Sequence, residues 1–589
     1  MLLTIVVIAG WLLLQEMRTS AYQAHFFAKL ARQMTYAVEP GPSASIRFPQ
    51  KTPYDERLGY AALPALISKL QKHDFEIAQQ ARISPRMAQL MDDGYFAPYP
   101  EKLQSGLTIL DCHDDRLFAE RYPQRVFANF DDVAPVLVDS LLFIENRELL
   151  DPRTPKRNPA VEWDRLAMAV LIQALHKVSG EGRAPGGSTL ATQIEKYRHS
   201  PEGRTASIQD KLRQMVSASL RAYQGGEDNI AARRQIVVTY MNTMPLSARP
   251  GFGEVHGVGD GLWVWYGRDF ADVQRILKSG PNGDQAEQAQ LYKEALSLLI
   301  SQRRPSYYFD GKEAELEQLT NSYLRLLANA GVISPALLDG ALKAKLNRHA
   351  IRTAAPAFSF IARKAATSVR THLAGLLGGS RLYDLDRFDV SVASTLDAPV
   401  QAAVTDLLRG LRLPANAAAA GLDSKQLLGR GDPAKVVYSF TLYERGASAN
   451  MLRVQTDNFD QPLNINEGTK LDLGSTAKLR TLLTYLDIIA NLHQRLASLD
   501  AAQLRAQEVD PKDVLTHWAV EYLGSASDKS LDAMLAAALE RRYSASPAEG
   551  FYTGGGLHHF NNFQHADDSR VLSVRDGLRN SVNLVFIRL

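Results

Sequence analysis

At 589 residues the chain is several times longer than one hydrophobic core usually supports, so three or more folded units are expected. A net charge of +3 excludes a nucleic-acid binder that works by bulk charge, and no basic stripe with interleaved aromatics is present. The single cysteine, Cys112, excludes a disulfide framework or a cysteine zinc cluster within the chain and reads as a partly buried small side chain.

Leu2 to Leu14 form an almost unbroken apolar run, with Trp11 near its end and Arg18 after it. As a helix the run would reach about 20 Å, short of the roughly 20 residues that span a bilayer. A secretory signal would carry a basic segment before the run and small residues after it, and neither is there. The expectation is a transmembrane anchor at residues 1–17 that has lost its first residues, with Met1 an internal or misassigned start. Residues 18–105 alternate amphipathic patterns with polar stretches, and Pro40, Pro42, Pro49 and Pro53 mark a loop-rich interval. They read as a stalk or accessory region without a chemical motif.

Residues 106–290 are largely helical by periodicity. Trp163 to Lys177, Ile208 to Tyr223 and Ile230 to Met241 place apolar residues at helical spacing, and Gly- and Pro-rich breaks fall at Ala184 to Ser188 and Pro250 to Gly261. Residues 291–387 continue as a helical connector. At Phe388 the pattern changes: FDVSVASTLD alternates like a strand, Ala398 to Leu411 reads as a helix, and Ala415 to Gly421 as a loop. VVYSFTLYE and MLRVQT read as strands, and an amphipathic helix runs from about Ser475 to Leu492. Strands mixed with helices make 388–589 an α/β (mixed) domain.

Two local patterns carry chemistry. Gly186-Gly187-Ser188-Thr189 leads into a helix and presents hydroxyls and backbone N–H groups together, which suits an anionic ligand. Taken alone, the turn reads equally as an ordinary helix N-cap. Further on, Ser475-Thr476-Ala477-Lys478 puts a serine and a lysine one helical turn apart on one face. A lysine whose pKa is lowered by burial can take the serine proton and make it a nucleophile. This pattern alone also reads as an N-cap serine. Ser581-Val582-Asn583 adds a hydroxyl for proton relay and an amide to hold a substrate carbonyl. His558 and His559 lack partners at metal-ligand spacing.

Combined, these motifs resemble the class A, bifunctional penicillin-binding proteins. Leu473-Gly474-Ser475-Thr476-Ala477-Lys478, SVNLVFIRL and the Thr395-Leu396-Asp397-Ala398-Pro399-Val400-Gln401 opening look like their transpeptidase domain. The resemblance implies that Ser475 forms the acyl-enzyme, Lys478 is its base, and Ser581 and Asn583 position the peptide. The family's Lys-Thr/Ser-Gly strand has no counterpart in the right place before Leu589, so this domain is expected to be truncated, with an insertion around 500–550.

Upstream, Ile144-Glu145-Asn146-Arg147, then Ala184 to Gln193, then Tyr240-Met241-Asn242, then Gly253 to Gly267 resemble the family 51 peptidoglycan glycosyltransferase domain in order and spacing. The resemblance implies a mostly α, lysozyme-like domain that polymerises lipid II, with Glu145 as catalytic base. Arg147, Gly186, Gly187, Ser188, Thr189, Gln193, Lys196, Arg198, Lys211, Gln214 and Asn242 are the implied substrate-binding residues, with Arg204 and Arg213 in the same basic interval. Departures are Asn146 for the usual aspartate, Asp210 and Gln214 in the Arg-Lys-x-x-Glu motif, and Val238 where a glutamate is usual. The resemblance further implies no tightly bound cofactor, Mg2+ or Mn2+ being the cation it admits for glycosyl transfer. Implied partners are lipid II and glycan strands, membrane lipid, β-lactams as inhibitors and other cell-wall synthesis proteins. The implied location is the bacterial inner (cytoplasmic) membrane, single-pass, with the catalytic domains outside the cytoplasm. The alternative from another class is a catalytically weak scaffold that holds lipid II.

Overall fold

The computed structural model describes residues 2–49, 51–163, 188–279, 283–349, 360–378, 385, 388–425, 427–461, 463, 465–470 and 472–589. The apolar run at the start forms a helix, Leu2–Thr19, and a second helix, Ala21–Ala31, follows Ser20, whose φ of 53° breaks the axis. The expected transmembrane anchor is not supported: no helix among the described residues is long and apolar enough to cross a membrane. The last turn of Leu2–Thr19 carries Glu16 and Arg18, which ends the apolar stretch early. The accessory region pairs Tyr36–Pro40 antiparallel with Gln79–Ile83. It buries Met34, Met87 and Ala97 against Leu220, and Ala24 and Ala28 against Ala222 and Tyr223.

The chain divides into two compact units, Met1–Gly468 and Thr469–Leu589. The largest core lies in the first, among helices Pro135–Glu145, Ile230–Thr243, Gly257–Tyr266, Gln285–Ser301 and Glu313–Asn329. Their starts follow side-chain chemistry: Ser207 caps Ile208–Ala222, while Asp269 and Asp284 cap the Phe270–Lys278 and Gln285–Ser301 helices. Val237, Val238, Tyr240, Met241, Leu262 and Tyr292 are fully buried here. A buried apolar side chain of this size stabilises by about 1.5–3 kcal/mol. Val238, where the resemblance leads one to expect a glutamate, is thus a core residue.

The Gly-rich stretch expected as a break is instead a strand, Gly253–His256, followed by the Gly257–Tyr266 helix. Its glycines serve close packing. A Cβ on Gly259 would lie 2.2 Å from the Arg125 carbonyl oxygen, and one on Gly257 would lie 2.5 Å from that of Asn242. Asp260, directly after Gly259, accepts the backbone N–H groups of Gln124 and Arg125, at 3.0 and 3.2 Å, and pairs with the Arg125 guanidinium at 3.0 Å. Small residues here let two stretches of backbone approach, at the helix-propensity cost of about 1 kcal/mol each.

Beside this core stands a three-stranded sheet. Ser105–Leu110 pairs antiparallel with Arg116–Tyr122 and parallel with Asp389–Ala393. Helix Phe360–Leu377 covers it with Ala365, Ala366, Leu373 and Leu377. Helix Ala398–Gly410, capped by Asp397, then leads to the hairpin Ser439–Arg445/Asn450–Asp457. The Ala-rich stretch expected as a loop contains a helix, Pro414–Ala419, because proline suits the first helical position and alanine propagates from it.

The second unit is built on helix Ala477–Leu496. Leu482, Tyr485, Ile489, Leu492 and Leu496 recur at three- and four-residue steps and bury one face against Ala519, Leu523, Met534 and Ala538. The short strands Arg542–Ser544 and Val571–Ser573 pair antiparallel, and helices Val574–Arg579 and Asn583–Arg588 close the unit.

Candidate active site

Glu145 is the last residue of the Pro135–Glu145 helix and is 8% exposed. The next helix in the described chain, Leu190–His199, starts at Thr189, whose hydroxyl accepts the Thr192 N–H while the Thr192 hydroxyl accepts the Thr189 N–H. This capping box sets the phase of the helix. Gln193 therefore faces Glu145 and donates through Nε2 to its Oε2 at 2.7 Å. The Tyr240 hydroxyl donates to the other end of the same amide at 3.4 Å, which orients it. Burial, then the nearby Glu145 charge, push the Tyr240 hydroxyl pKa far up, so it stays a donor. On the other side the Arg303 guanidinium lies 3.3 Å from Glu145 Oε1.

Lys196 is one turn on from Gln193. Burial lowers its pKa, and the opposing pull comes from Glu145. Lys211, on the Ile208–Ala222 helix, donates to the Ser188 hydroxyl at 2.7 Å. Its pKa is lowered to about 8, by burial first and by the Lys196 charge second. Two half-buried lysines, one of them depressed by the other's charge, near a carboxylate and a hydroxyl-bearing turn, form a site that an anion would relieve.

The remaining expected substrate residues lie elsewhere. Arg198 sits on the opposite face of its helix with Ala191, Ile194 and Glu195, is 4% exposed, and pairs with Glu101 at 2.6 Å. Asn242 is fully buried, donating to the Phe127 carbonyl and accepting its N–H, both at 2.9 Å. Gln214 is fully buried and donates to Ser200 and Thr205, both at 2.9 Å. Asn242 and Gln214 are satisfied internally and Arg198 is buried against Glu101, so none of the three reaches a substrate in this arrangement. Arg147 is exposed, with its guanidinium 4.1 Å from the Phe143 ring centre. Asn146 donates to Glu162. Gly186, Gly187 and nearly all of the stretch Trp163 to Lys177, expected as a helix, lie outside the described residues.

The sequence had not singled out Arg303 or Glu101. Glu101 accepts from Arg198 and lies against His199 and Arg221, each at 2.6 Å, and Arg221 also meets Glu195 at 2.6 Å. Burial alone would raise the Glu101 pKa, but Arg221, His199 and Arg198 outweigh it and hold the carboxyl below its usual range. Glu101 thereby ties the accessory region to the back of the helix that carries Gln193 and Lys196.

In the second unit, Lys478 is 7% exposed and donates to the Ser475 hydroxyl at 2.9 Å, the Ser581 carbonyl at 2.9 Å, the Ser581 hydroxyl at 3.1 Å and Asn583 Oδ1 at 2.7 Å. Burial lowers its pKa. Ser475 itself is exposed, in the turn Gly474–Thr476 before helix Ala477–Leu496. Ser581 adopts φ 54°, which turns its carbonyl and hydroxyl toward the same ammonium. Asn583 is held from behind by its Nδ2 donating to the Asn561 carbonyl at 2.8 Å. All four expected residues therefore meet.

No curated protein matches the chain. Residues 114–328 match the family described as transglycosylase, and this span takes in Glu145, the Leu190–His199 helix and Arg303. It runs on through helices Gln285–Ser301 and Glu313–Asn329, which share its core. The chain thus carries a family 51 glycosyltransferase domain, of the kind that polymerises peptidoglycan glycan.

Proposed function

We propose that the chain elongates glycan strands from lipid II with Glu145 as general base, and that its second unit carries a serine acyl-transfer site. The acceptor sugar's 4-hydroxyl loses its proton to Glu145 as its oxygen bonds to the donor anomeric carbon. The bond from that carbon to undecaprenyl pyrophosphate breaks, and Lys196 and Lys211 offset the charge released on the leaving group. Gln193 and Arg303 hold the carboxylate in place. The observation that supports this best is the Glu145 carboxylate clamped by Gln193 at 2.7 Å and Arg303 at 3.3 Å, with Lys196 one turn along the same helix. Among the described residues, no group of three His, Cys, Asp or Glu ligand atoms gathers at Glu145, and Gln214 is a neutral amide. That donor set does not fit Mg2+ or Mn2+, so no step is routed through a metal. Lipid II is a membrane lipid, so the reading locates the protein at the bacterial cytoplasmic membrane with its catalytic domains outside.

The decisive experiment incubates the protein and its Glu145→Gln variant with labelled lipid II and resolves the products by gel. Glycan from the parent alone supports the polymerase. No glycan from either leaves the lipid II-holding scaffold.

At the second site, neutral Lys478 takes the Ser475 proton, Oγ attacks a peptide or β-lactam carbonyl, and an acyl-serine forms as the amine leaves. Fluorescent penicillin should label the protein and not Ser475→Ala. An unlabelled parent would remove this half of the reading.

A further inference from the structure

A cluster outside both candidate sites has the donors of a transition-metal centre. The tight turn that joins Ser105–Leu110 to Arg116–Tyr122 is organised by Asp111, whose side chain is 1% exposed. Its carboxylate accepts the N–H of His113 at 2.8 Å and of Asp115 at 3.0 Å. It also accepts the N–H of Ala398 at 3.3 Å, 287 residues away. Cys112 N–H donates to the Leu396 carbonyl at 2.8 Å, a second tie between the two turns. These bonds bring Cys112 and His113 against Asp397, so that one sulfur, one ring nitrogen and one carboxylate oxygen all lie within 4.8 Å of one another.

We propose that Cys112, His113 and Asp397 bind one Zn2+ ion. The Cys112 sulfur is 3.5 Å from His113 Nδ1 and 3.9 Å from Nε2. Ligands bound to one tetrahedral zinc at about 2.0–2.3 Å stand about 3.3–3.8 Å apart, so the side chains need to close by at most about 1.5 Å. A thiolate, an imidazole and a carboxylate together suit zinc and exclude magnesium or calcium, which take oxygen ligands. Asp111 supplies the support that metal-bound imidazoles usually have: its Oδ2 lies 3.5 Å from His113 Nδ1, which orients the ring with Nε2 free to ligate. Asp397 caps its helix through Oδ1 alone, at 3.0 Å from Val400 N, and has a second oxygen to give. The neighbouring Arg453 is neutralised by Glu444 at 2.6 Å. His113 is 56% exposed, which leaves the fourth position to water. Binding releases the thiol proton to solvent. The ion would staple the front of the glycosyltransferase domain to the turn that opens helix Ala398–Gly410.

The test uses the full chain, stripped with chelator and dialysed. Zinc is titrated in competition with a chromophoric chelator, and Co2+ absorption is recorded in parallel. One ion per chain is expected. The Co2+ form should show a thiolate charge-transfer band that disappears in Cys112→Ser, and His113→Ala and Asp397→Asn should each weaken zinc at least tenfold. Asp397→Asn keeps the helix cap, and unchanged circular dichroism of the metal-free variants separates lost binding from lost folding. Absence of the thiolate band, or stoichiometric zinc retained when Cys112→Ser, His113→Ala and Asp397→Asn are combined in one chain, would overturn the assignment. Glycan synthesis is not part of the readout, so the outcome stands apart from the polymerase reading.

Discussion

Glu145 and Ser475 meet their partners by opposite routes. Ser475 finds Lys478 three residues on, and a single distant turn, 103 residues from the lysine, completes the cluster. Glu145 depends on Gln193, 48 residues away, and on Arg303, 158 away, each on a different element. A local pair is set by one helix turn. A dispersed one holds only while several elements stay packed, so its chemistry and its stability should be coupled more tightly.

The largest effect is expected at the local site. Lys478→Ala removes the one base that reaches the Ser475 hydroxyl among the described residues, and the rate of fluorescent penicillin acylation should fall by about 10²–10⁴-fold. The Ala477–Leu496 helix keeps its buried apolar face, so the unfolding midpoint should move little. A variant that labels within a few-fold of the parent would break the comparison at its simpler end.

The dispersed site should instead fail through its frame. Glu101→Ala leaves Arg198 buried without its carboxylate and Arg221 with Glu195 alone, and should destabilise by about 3–5 kcal/mol, read as a lower midpoint in denaturant. The sign with pH follows from the lowered pKa of Glu101. Its contribution is present above the ordinary carboxyl value of 4.5 and is lost as pH falls below that toward the folded-state value. The gap between parent and variant should therefore be full at neutral pH and narrow in acid. An equal gap at pH 3 and pH 7 would show that Glu101 acts through packing alone.

What could be read from the sequence divides along the same line. Ser475 and Lys478, the Thr189 cap and the Asp397-capped helix depend on spacings of three or four residues, and a linear chain displays them. Arg303 and Glu101 have no local signature: each matters only because packing carries it to a group far away in sequence. Arg198 looked like a pyrophosphate ligand because it is basic and near the motif, yet helical phase turns it to the back with Glu195. Gly257 and Gly259 read as a break because glycine weakens an isolated helix, and the backbone contacts that require them, to Asn242 and to Arg125, are invisible until those segments are in place. The metal-ligand cluster joins Cys112 and His113 to Asp397 through one strand pairing, so a count of cysteines misses it.

Within the dispersed site, Gln193→Ala should lower glycan polymerisation about tenfold while leaving the capping box and the fold intact. The carboxylate keeps Arg303 but loses the neutral donor that Tyr240 orients. Gln193→Glu should do worse, because it sets a second negative charge against Glu145. If Ala and Glu variants match the parent, Gln193 only packs.

The smallest effect is the most diagnostic, because it reads charge directly. Lys211 has a pKa of about 8, so it is mostly protonated at pH 7 and mostly neutral at pH 9. If its charge stabilises the leaving pyrophosphate, polymerisation should decline several-fold across that interval. The bound pyrophosphate would itself favour the ammonium and raise the pKa in the complex. The decline should therefore appear in kcat/KM, which reports the free enzyme, and be weaker in kcat. Lys211→Arg places a permanent cation at the same position and should flatten the profile, at some loss of rate because the guanidinium fork cannot repeat the bond to Ser188. An identical decline in parent and Lys211→Arg would assign the titration to another group and take Lys211 out of the anion site, leaving Lys196 to face the pyrophosphate alone.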